Sequence, residues 1–419
     1  MNTKPTISLC MIVRDEAPLV QDFLAHVAGV WDELCVVDTG SRDNTRALFA
    51  AAGARVADHR WQDDFSLARN QSIEMARGEW IVVLDADERP DEEARRSIRE
   101  LSGKAALGAA TVCMRNIFEH GHTTLTHLMR MFRRDDSIRF HHPIHEDVAG
   151  EVMAYLFASG RELGRAEGTV EHGGYLRRRM QERGKQQLSE RILTDCLKRD
   201  PSDLYNWYKL CESARFFGNE PLLGDALAGA RRALESADEA AISQAHFGGE
   251  LVTMISTLQF AGRPAEELAF VERWQGKLGP SAAMRLRLGE VFEALGRNQE
   301  AAAAFRSCVD LHAQTSNLQL SSVRPMLGLA RLALAGGDLG VALGYVEAAL
   351  GHNPRDPEML LALVGLCQQM SGASGLARVV AAYRDSYGDC PELQAALEEV
   401  EENTALSAHA TPASSPSPN

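Results

Sequence analysis

Three acidic residues follow a short apolar run in the N-terminal part of the chain. In GEWIVVLDADERPDEE (78–93), the run IVVL (81–84) leads directly into Asp85, Asp87 and Glu88. A short apolar run rich in β-branched residues predicts a buried strand, usually a parallel one. Carboxylates at the carboxyl end of such a strand lie where α/β sheets bind ligands. Like charges this close repel one another, so a cation is expected between them.

A second predicted strand, ELCVVD, ends in the same way at Asp38. Two parallel strands that both end in Asp place these carboxylates at one edge of the sheet. Asp38 can accept hydrogen bonds from a base or a ribose, whereas Asp85 and Asp87 can hold Mg²⁺ or Mn²⁺, which prefer oxygen ligands. Such an ion would stabilise a diphosphate as a leaving group. Helix capping is the alternative explanation, but Asp91 meets that need without Asp85 and Asp87.

The overall composition is that of an ordinary globular protein. A chain of 419 residues is long enough for two or three domains. Its net charge of -14 argues against general binding to nucleic acid or to a membrane surface. Neither a signal peptide nor a membrane span is expected, and the eight cysteines form no CxxC pair. We therefore expect a cytoplasmic protein with reduced thiols.

The chain changes character near residue 180. Before this point strand signals alternate with helical stretches, which predicts a mostly parallel sheet covered by helices. After it the sequence is rich in Ala and Leu, and glycine-containing turns recur every 34 to 44 residues, at Gly218, Gly262, Gly296, Gly337 and Gly372. A period near 34 is typical of tetratricopeptide repeats. The predicted domains are a sheet domain (1–180), a linking helix with repeats (181–402) and a disordered tail (403–419).

Four segments of the first domain occur in an informative order: MIVRDE, VVDTGSRDNT, ARN and VLDADE. At these spacings they closely resemble family 2 glycosyltransferases of the GT-A fold, over about residues 5–175. The resemblance implies a Rossmann-like α/β domain that transfers a sugar from a nucleotide-diphosphate donor, most often a UDP-sugar and with inversion. A D-x-D pattern alone is weak evidence, whereas the ordered set is specific.

The resemblance also implies a role for each residue of these segments. Asp38 contacts the nucleobase or ribose, and Asp85 contacts the sugar and ribose. Asp87 binds the metal, as the second acid of the D-x-D motif. The remaining donor-side candidates are Arg14 and Glu16 beside the nucleoside pocket and Arg69 facing the nucleotide sugar.

The predicted transfer needs a base, because the acceptor hydroxyl loses its proton as it attacks the anomeric carbon. The candidates follow His145 in IRFHHPIHEDVAGEV, where the resemblance places an acidic base. We favour Glu146 and take Asp147 as the next candidate. The alternative is that Glu146 only solvates or caps a loop.

Histidines and arginines supply further candidates. By resemblance His172, at the end of the last predicted strand, is a further metal ligand; the alternative is a bond to a backbone carbonyl. His142 and His145 are candidates for the wall of the sugar or diphosphate site. One arginine of RMFRR (130–134) could bind the diphosphate, and the basic segment 175–185 could form a lid or enter the repeats as a helix.

Two other classes of function fit part of the sequence. A nucleotidyltransferase shares the sheet and the acidic residues but ordinarily carries a Gly-rich loop after its first strand, and MIVRDEAPLV has no glycine. A non-catalytic scaffold would combine the repeats with a degenerate nucleotide-binding domain, against which the intact acidic set argues. The repeats themselves predict a surface for a peptide, protein or glycan acceptor, or for a homodimer.

Overall fold

The computed structural model describes residues 6–117, 123–172, 184–244, 247–311, 319–388 and 390–409. They form two compact units. The first comprises the described residues of Met1–Glu119 and Thr124–Ala237, and the second essentially those of Asp238–Asn419. The sequence predicts a domain boundary at residue 180, where strand signals give way to helical ones. This boundary stays a prediction.

A nine-stranded sheet forms the centre of the first unit. Its strands are β1 (Ile7–Val13), β2 (Glu33–Asp38), β3 (Arg55–Asp58), β4 (Trp80–Val83), β5 (Glu88–Pro90), β6 (Leu107–Ile117), β7 (Thr123–Arg133), β8 (Glu162–Arg165) and β9 (Val170–His172). The order is β3-β2-β1-β4-β7-β6-β9-β5, with β8 beside β6. The strands β3, β2, β1 and β4 are parallel, whereas β7 is antiparallel to β4 and β5 is antiparallel to β9. The predicted α/β class is confirmed, with a mixed sheet.

Helices cover both faces of this sheet. They are α1 (Ala17–His26), α2 (Thr45–Ala51), α3 (Phe65–Glu74), α4 (Glu92–Ser102) and α5 (Ala149–Ser159). Three further helices of the first unit follow the sheet along the chain: α6 (Lys185–Arg199), α7 (Leu204–Phe216) and α8 (Glu220–Ser236). Leu9 of β1 belongs to one buried cluster, together with Phe23 of α1, while the next residue, Cys10, belongs to a second cluster that includes Val152 of α5. Both faces of the central strands are therefore buried, which explains their nearly continuous apolar runs.

Asp91 holds the end of the acidic segment (78–93) against the start of β9. This residue caps α4, as predicted: its Oδ1 accepts a hydrogen bond from Ala94 N at 2.7 Å. Its Oδ2 accepts from Thr169 N at 2.8 Å, just before β9. The backbone of Gly168 packs so closely here that a Cβ atom would lie 2.3 Å from Ala94 N. The contact sets the position of β9, and with it His172, beside Glu88 of β5.

The described part of the second unit is helical. Its elements are α9 (Glu239–Gln244), α10 (Gly248–Gln259), α11 (Pro264–Gln275), α12 (Ala282–Ala294), α13 (Asn298–Asp310), a π-helical turn (Gln319–Val323), α14 (Arg324–Ala335), α15 (Leu339–His352), α16 (Pro357–Tyr387) and α17 (Pro391–His409). Close packing between helices uses small residues: the ring of Phe305 on α13 lies between Gly289 of α12 and Gly328 of α14, where any Cβ would overlap it. The predicted all-α repeat architecture is confirmed.

Four of the five predicted turns end helices with a left-handed glycine. The φ angles of Gly218, Gly262, Gly296 and Gly337 are 68°, 73°, 70° and 82°. The fifth prediction is wrong, because α16 runs without a break through Gly372. A glycine inside a helix costs only about 1 kcal/mol relative to alanine, so spacing alone does not force a turn.

The remaining sequence expectations concern the tail, the thiols and the membrane. Helix α17 continues to His409, into the segment predicted to be disordered, and 410–419 lie outside the described residues. All eight cysteines are free and buried, as expected. Along the described ranges, no helix combines the length and the apolar character that crossing a membrane requires.

The Asp91 contact yields a stability prediction. We expect Gly168→Ala to lower the free energy of unfolding by about 3 kcal/mol, because a left-handed backbone and a steric overlap with α4 act together. Gly160→Ala is the matched control: its φ of 64° is similar, but its Cβ meets open space, so we expect a loss of about 1 kcal/mol. Urea denaturation followed by tryptophan fluorescence measures both. Equal losses in the two variants would contradict the proposed overlap.

Candidate active site

The loops that follow β1 and β2 are tied to each other. Asp15 N donates to Ser41 Oγ at 2.9 Å, and Arg42 N donates to Asp15 Oδ1 at 2.7 Å. Glu16 N donates to Thr45 Oγ1 at 2.7 Å, which places the backbone of Glu16 beside the start of α2. Arg14 precedes these contacts and is exposed. The two loops therefore lie together at the carboxyl ends of β1 and β2.

Asp38 lies at this edge with one oxygen used and one open. Its Oδ1 accepts hydrogen bonds from Gly40 N and Ser41 N, both at 2.8 Å, which fixes the turn after β2. The residue is only 4% exposed, and its Oδ2 is buried without a hydrogen-bond partner in the described structure. A buried unpaired acceptor is costly. Asp38 Oδ2 is therefore suited to receive a donor group from a ligand.

Arg69 joins the end of β4 to the loop that precedes α5. Arg69 is a residue of α3. Its Nε donates to Glu146 Oε1 at 2.9 Å, and one of its terminal nitrogens donates to Asp85 Oδ2 at 3.0 Å. The other terminal nitrogen lies 2.7 Å from Asp85 Oδ1. Burial alone would raise the pKa of Asp85, but the charges of Arg69 and Arg130 outweigh it and hold this pKa well below its usual range. Asp85 is thus ionised at neutral pH.

A second arginine pairs with the fully buried Glu88. Arg130 donates to Glu88 Oε1 at 2.7 Å, and its guanidinium lies 4.0 Å from Asp85 Oδ2. Asp85 N donates to Glu88 Oε2 at 2.9 Å, which fixes the turn between β4 and β5. Burial raises the pKa of Glu88, against the opposing charge of Arg130. Of the RMFRR cluster, Arg130 is therefore the residue that reaches the acidic end of β4.

Asp87, just before β5, lies beside His172, the last residue of β9. His172 Nε2 lies 3.8 Å from Asp87 Oδ2, and His172 Nδ1 lies 3.1 Å from Asn116 Oδ1. With the Nδ1 proton donated to Asn116, Nε2 presents its lone pair toward Asp87, the arrangement found in metal-binding histidines. A search of the described residues finds no group of three or more His, Cys, Asp or Glu side chains arranged for a metal. A carboxylate and an imidazole nonetheless fit an ion whose other ligands come from a diphosphate and water.

The 140–147 loop presents its two acidic residues in different directions. Glu146 is 14% exposed and bonds to Arg69, whereas Asp147 is exposed and accepts a hydrogen bond from Ala149 N at the start of α5. Asn70, the neighbour of Arg69 on α3, fixes the beginning of the loop by pairing with both backbone groups of Phe140. Of the two candidate bases, Glu146 is the one that lies with Asp85.

Two of the three histidines of the loop, His142 and His145, contact α7. The ring of His142 stacks on the ring of Tyr205, with centroids 3.9 Å apart, and the Tyr205 hydroxyl donates to His145 O at 2.5 Å. Burial lowers the pKa of His142. Their assignment to the sugar or diphosphate site stays a prediction, since the contacts found here are with a helix.

The structure brings five of the eleven predicted site residues into two groups. One group contains Arg69, Asp85 and Glu146, and Asp87 pairs with His172. The sequence analysis did not find Asn116, Tyr205 or the pairing of Glu88 with Arg130. The pairing of Glu88 had a signal, because a third acid in an apolar context needs a cation, but its partner lies 42 residues away. No signal marked Asn116 or Tyr205.

Comparison with known proteins concerns the N-terminal part of the first unit. Residues 8–155 match the model of the family described as Glycosyl transferase family 2. The resemblance predicted from the motifs of this part of the chain is confirmed by this match.

Individual relatives cover only part of this chain. A TPR repeat-containing protein of Synechococcus elongatus is 41% identical over 206 residues, or 49% of this chain and 51% of that protein. The SPbeta prophage-derived glycosyltransferase SunS of Bacillus subtilis is 29% identical over 147 residues, or 34% and 35% of the two chains. The chain thus spans about half the length, or less, of the curated relatives it matches. Glucosyl-3-phosphoglycerate synthase from Mycobacterium tuberculosis, solved with Mn²⁺ and UDP-glucose, is 17% identical with a TM-score of 0.34 over 46% of this chain and 79% of that one.

The bridging arginine yields a prediction for stability and its pH dependence. We expect Arg69→Met to lower the free energy of unfolding at pH 7 by about 3 kcal/mol, because it leaves two partly buried carboxylates without their cation. A depressed folded pKa makes Asp85 stabilising above its unfolded pKa, about 3.9, and this contribution is lost as the pH falls below it. The difference between wild type and variant should therefore shrink below about pH 4.

Urea denaturation between pH 3 and pH 7 tests this expectation. Arg96→Met is the matched control, since Arg96 pairs with Glu93 and Glu100 on the surface of α4 and its side chain is 67% exposed. We expect this control to cost about 0.5 kcal/mol or less. Equal effects of the two substitutions at pH 7 would show that the buried bridge contributes no more than a surface pair.

Proposed function

We propose that the protein is a metal-dependent glycosyltransferase that moves a sugar from a nucleotide-diphosphate donor, most simply a UDP-sugar, to an acceptor hydroxyl. The observation that carries the proposal is the Arg69 bridge. It brings Asp85, at the end of a parallel strand, together with Glu146, a candidate base 61 positions further along the chain. Sugar transfer needs a donor-binding acid and a base within reach of one reacting centre. The family 2 match over residues 8–155 supports the same reaction class.

The donor would lie along the carboxyl ends of β1, β2 and β4. Asp38 Oδ2, buried and unpaired within the described structure, would accept a hydrogen bond from the base or ribose. Glu16 and Arg14 follow β1 at the same edge. Asp85 would contact the sugar and ribose, held in place by Arg69. This order follows the switch between strands where α/β sheets bind nucleotides.

Asp87 and His172 would hold the divalent ion. The fit rests on the donor set, one carboxylate and one imidazole oriented by Asn116. Mn²⁺ accepts both types of ligand, and Mg²⁺ favours the carboxylate. When bound, the ion would neutralise charge on the diphosphate leaving group.

The protein's own contribution to the chemical step would come from Glu146. The acceptor oxygen forms a bond to the anomeric carbon while the bond from that carbon to the donor phosphate oxygen breaks. The electron pair of the broken bond stays on the nucleoside diphosphate, and the acceptor proton passes to the Glu146 carboxylate. Arg69 occupies Oε1, so Oε2 is the oxygen to receive the proton. Attack opposite to the leaving group inverts the anomeric carbon.

The acceptor is proposed to be a peptide, a protein or a glycan bound partly by the helical repeats. Stacked helix pairs provide extended surfaces for such partners, and the second unit is built of them. Homodimerisation through the repeats is the alternative use of this surface.

A donor screen tests the function as a whole. The purified chain is incubated with UDP-, GDP- and TDP-sugars, with and without MnCl₂ or MgCl₂, and the released nucleoside diphosphate is measured. Metal-dependent release from one donor supports the proposal. Failure of every donor both to be hydrolysed and to raise the unfolding temperature of the folded protein would favour a non-catalytic scaffold.

Asp87→Ala tests the metal assignment. We expect Mn²⁺ to increase nucleotide-sugar affinity in the wild type and to have no effect on affinity in the variant, while the unfolding temperature changes little. Calorimetric titration of the donor with and without MnCl₂ measures this. Glu171→Ala is the control, because Glu171 precedes His172 on β9 but is exposed. Normal Mn²⁺ dependence in Asp87→Ala would remove Asp87 from the metal site.

Glu146→Gln tests the base. We expect the donor Kd to stay within about twofold and the turnover number to fall about a hundredfold, the usual effect of losing a general base. Steady-state release of nucleoside diphosphate measures the turnover. Asp147→Asn is the comparison, since Asp147 bonds to the start of α5, and we expect a much smaller effect. A slow Asp147→Asn variant beside a normal Glu146→Gln variant would exchange the two assignments.

A further inference from the structure

Tyr205, on the second helix after the sheet domain, contacts the loop that carries Glu146. Its hydroxyl donates to His145 O at 2.5 Å. That carbonyl belongs to the peptide group that joins His145 to Glu146, so the hydrogen bond fixes the plane from which Glu146 projects. The same ring stacks on His142 at 3.9 Å, with an angle of 22° between the planes. One side chain thus holds the 140–147 loop at two points.

Both contacted residues have an unfavourable backbone conformation. His142 and His145 have φ angles of 69° and 55°, in the left-handed region that side chains disfavour. A loop with two such residues keeps its conformation only when its surroundings hold it. Asn70 and Arg69 hold its two ends from α3, whereas Tyr205 contacts the two left-handed residues themselves.

The preceding helix makes a similar contact just before the start of α3. Arg191 of α6 forms two hydrogen bonds of 2.8 Å with Asp63, whose φ is 58°. Asp63 adjoins Asp64, the cap of α3, which carries Arg69. Of the four non-glycine residues with positive φ in the described chain, three are therefore contacted by α6 or α7. The two helices support the segments that supply both partners of the Arg69–Glu146 bond.

We propose that two side chains, Arg191 of α6 and Tyr205 of α7, support the proposed active site, and that Tyr205 is a positioning residue for Glu146. The proposal rests on the proposed function, in which Glu146 is the base. Tyr205 acts through the His145–Glu146 peptide and does not need to touch the donor. Burial, together with nearby carboxylates, raises the pKa of Tyr205, so that its hydroxyl remains a hydrogen-bond donor throughout the working pH range.

Tyr205→Phe in the full-length chain removes the hydroxyl and keeps the ring over His142. We expect the turnover number for nucleoside diphosphate release to fall about tenfold, because a small displacement of a catalytic group is costly. The donor Kd and the unfolding temperature should stay close to wild type. Tyr208→Phe is the matched control, since the Tyr208 hydroxyl donates at 2.7 Å to Glu212, on its own helix. This control should turn over normally.

A double substitution separates positioning from general stabilisation. If Tyr205 acts through Glu146, Tyr205→Phe should slow the wild type but have almost no further effect in the Glu146→Gln background. A tenfold loss in both backgrounds would overturn the proposal, because Tyr205 would then act independently of the base. Unchanged turnover of Tyr205→Phe in the wild-type background would overturn it equally.

Hydrogen exchange gives a readout that does not depend on activity. The His141 and Asp147 amides bond across the loop, at 2.9 and 3.1 Å. We expect faster exchange of the peptide that contains them in Tyr205→Phe, and unchanged exchange in β1 and β2. Unchanged exchange in the loop overturns the positioning role. Faster exchange in a protein whose wild type hydrolyses no nucleotide sugar would instead reject the proposed function, and with it a catalytic role for the loop.

Discussion

The buried guanidinium of Arg69 is the interaction on which the candidate site depends. It is 5% exposed and lies between Asp85 and Glu146. Two carboxylates at this distance would repel each other and be partly protonated without a cation between them. Burial by itself would lower the pKa of Arg69, but the two carboxylates raise it, so the cation is permanent. Arg69 therefore holds Asp85 and Glu146 in place before any ligand binds, which is preorganisation in the electrostatic sense.

The groups that pair with Arg69 must themselves be held in place. Helix α3 supplies Arg69 and Asn70 on consecutive positions, one for the end of the 140–147 loop and one for its beginning. The loop's left-handed histidines face Tyr205, so support comes from two directions. The same principle holds at the proposed metal site, where Asn116 contacts His172 and Asp91 sets the start of β9. Each side chain proposed to act on the substrate is thus fixed by another that does not.

The helices after the sheet have two roles in this chain. By sequence α6 is the predicted linking helix, whereas α7 and α8 look like the beginning of the repeats, with a left-handed turn at Gly218. By contact they belong to the first compact unit, which extends to Ala237. Repeat helices expose faces that need a partner, and here Tyr205 of α7 contacts a loop of the sheet domain. The later helices pack against their neighbours through small residues, as at Phe305.

The sequence by itself determined the class of both regions, because periodicity and the order of D-x-D-type segments are local properties. It identified Asp38, Asp85 and Asp87 as residues at strand ends, and it favoured Glu146 over Asp147. It did not determine partners, since Arg69 and Glu146 are separated by 77 residues and Tyr205 lies 60 residues beyond His145. The failed turn at Gly372 has the same origin: packing decides whether a helix continues through a glycine. Only the tertiary structure decided which charges neutralise one another, because Coulomb interactions depend on distance in space and on burial, neither of which is encoded by spacing along the chain.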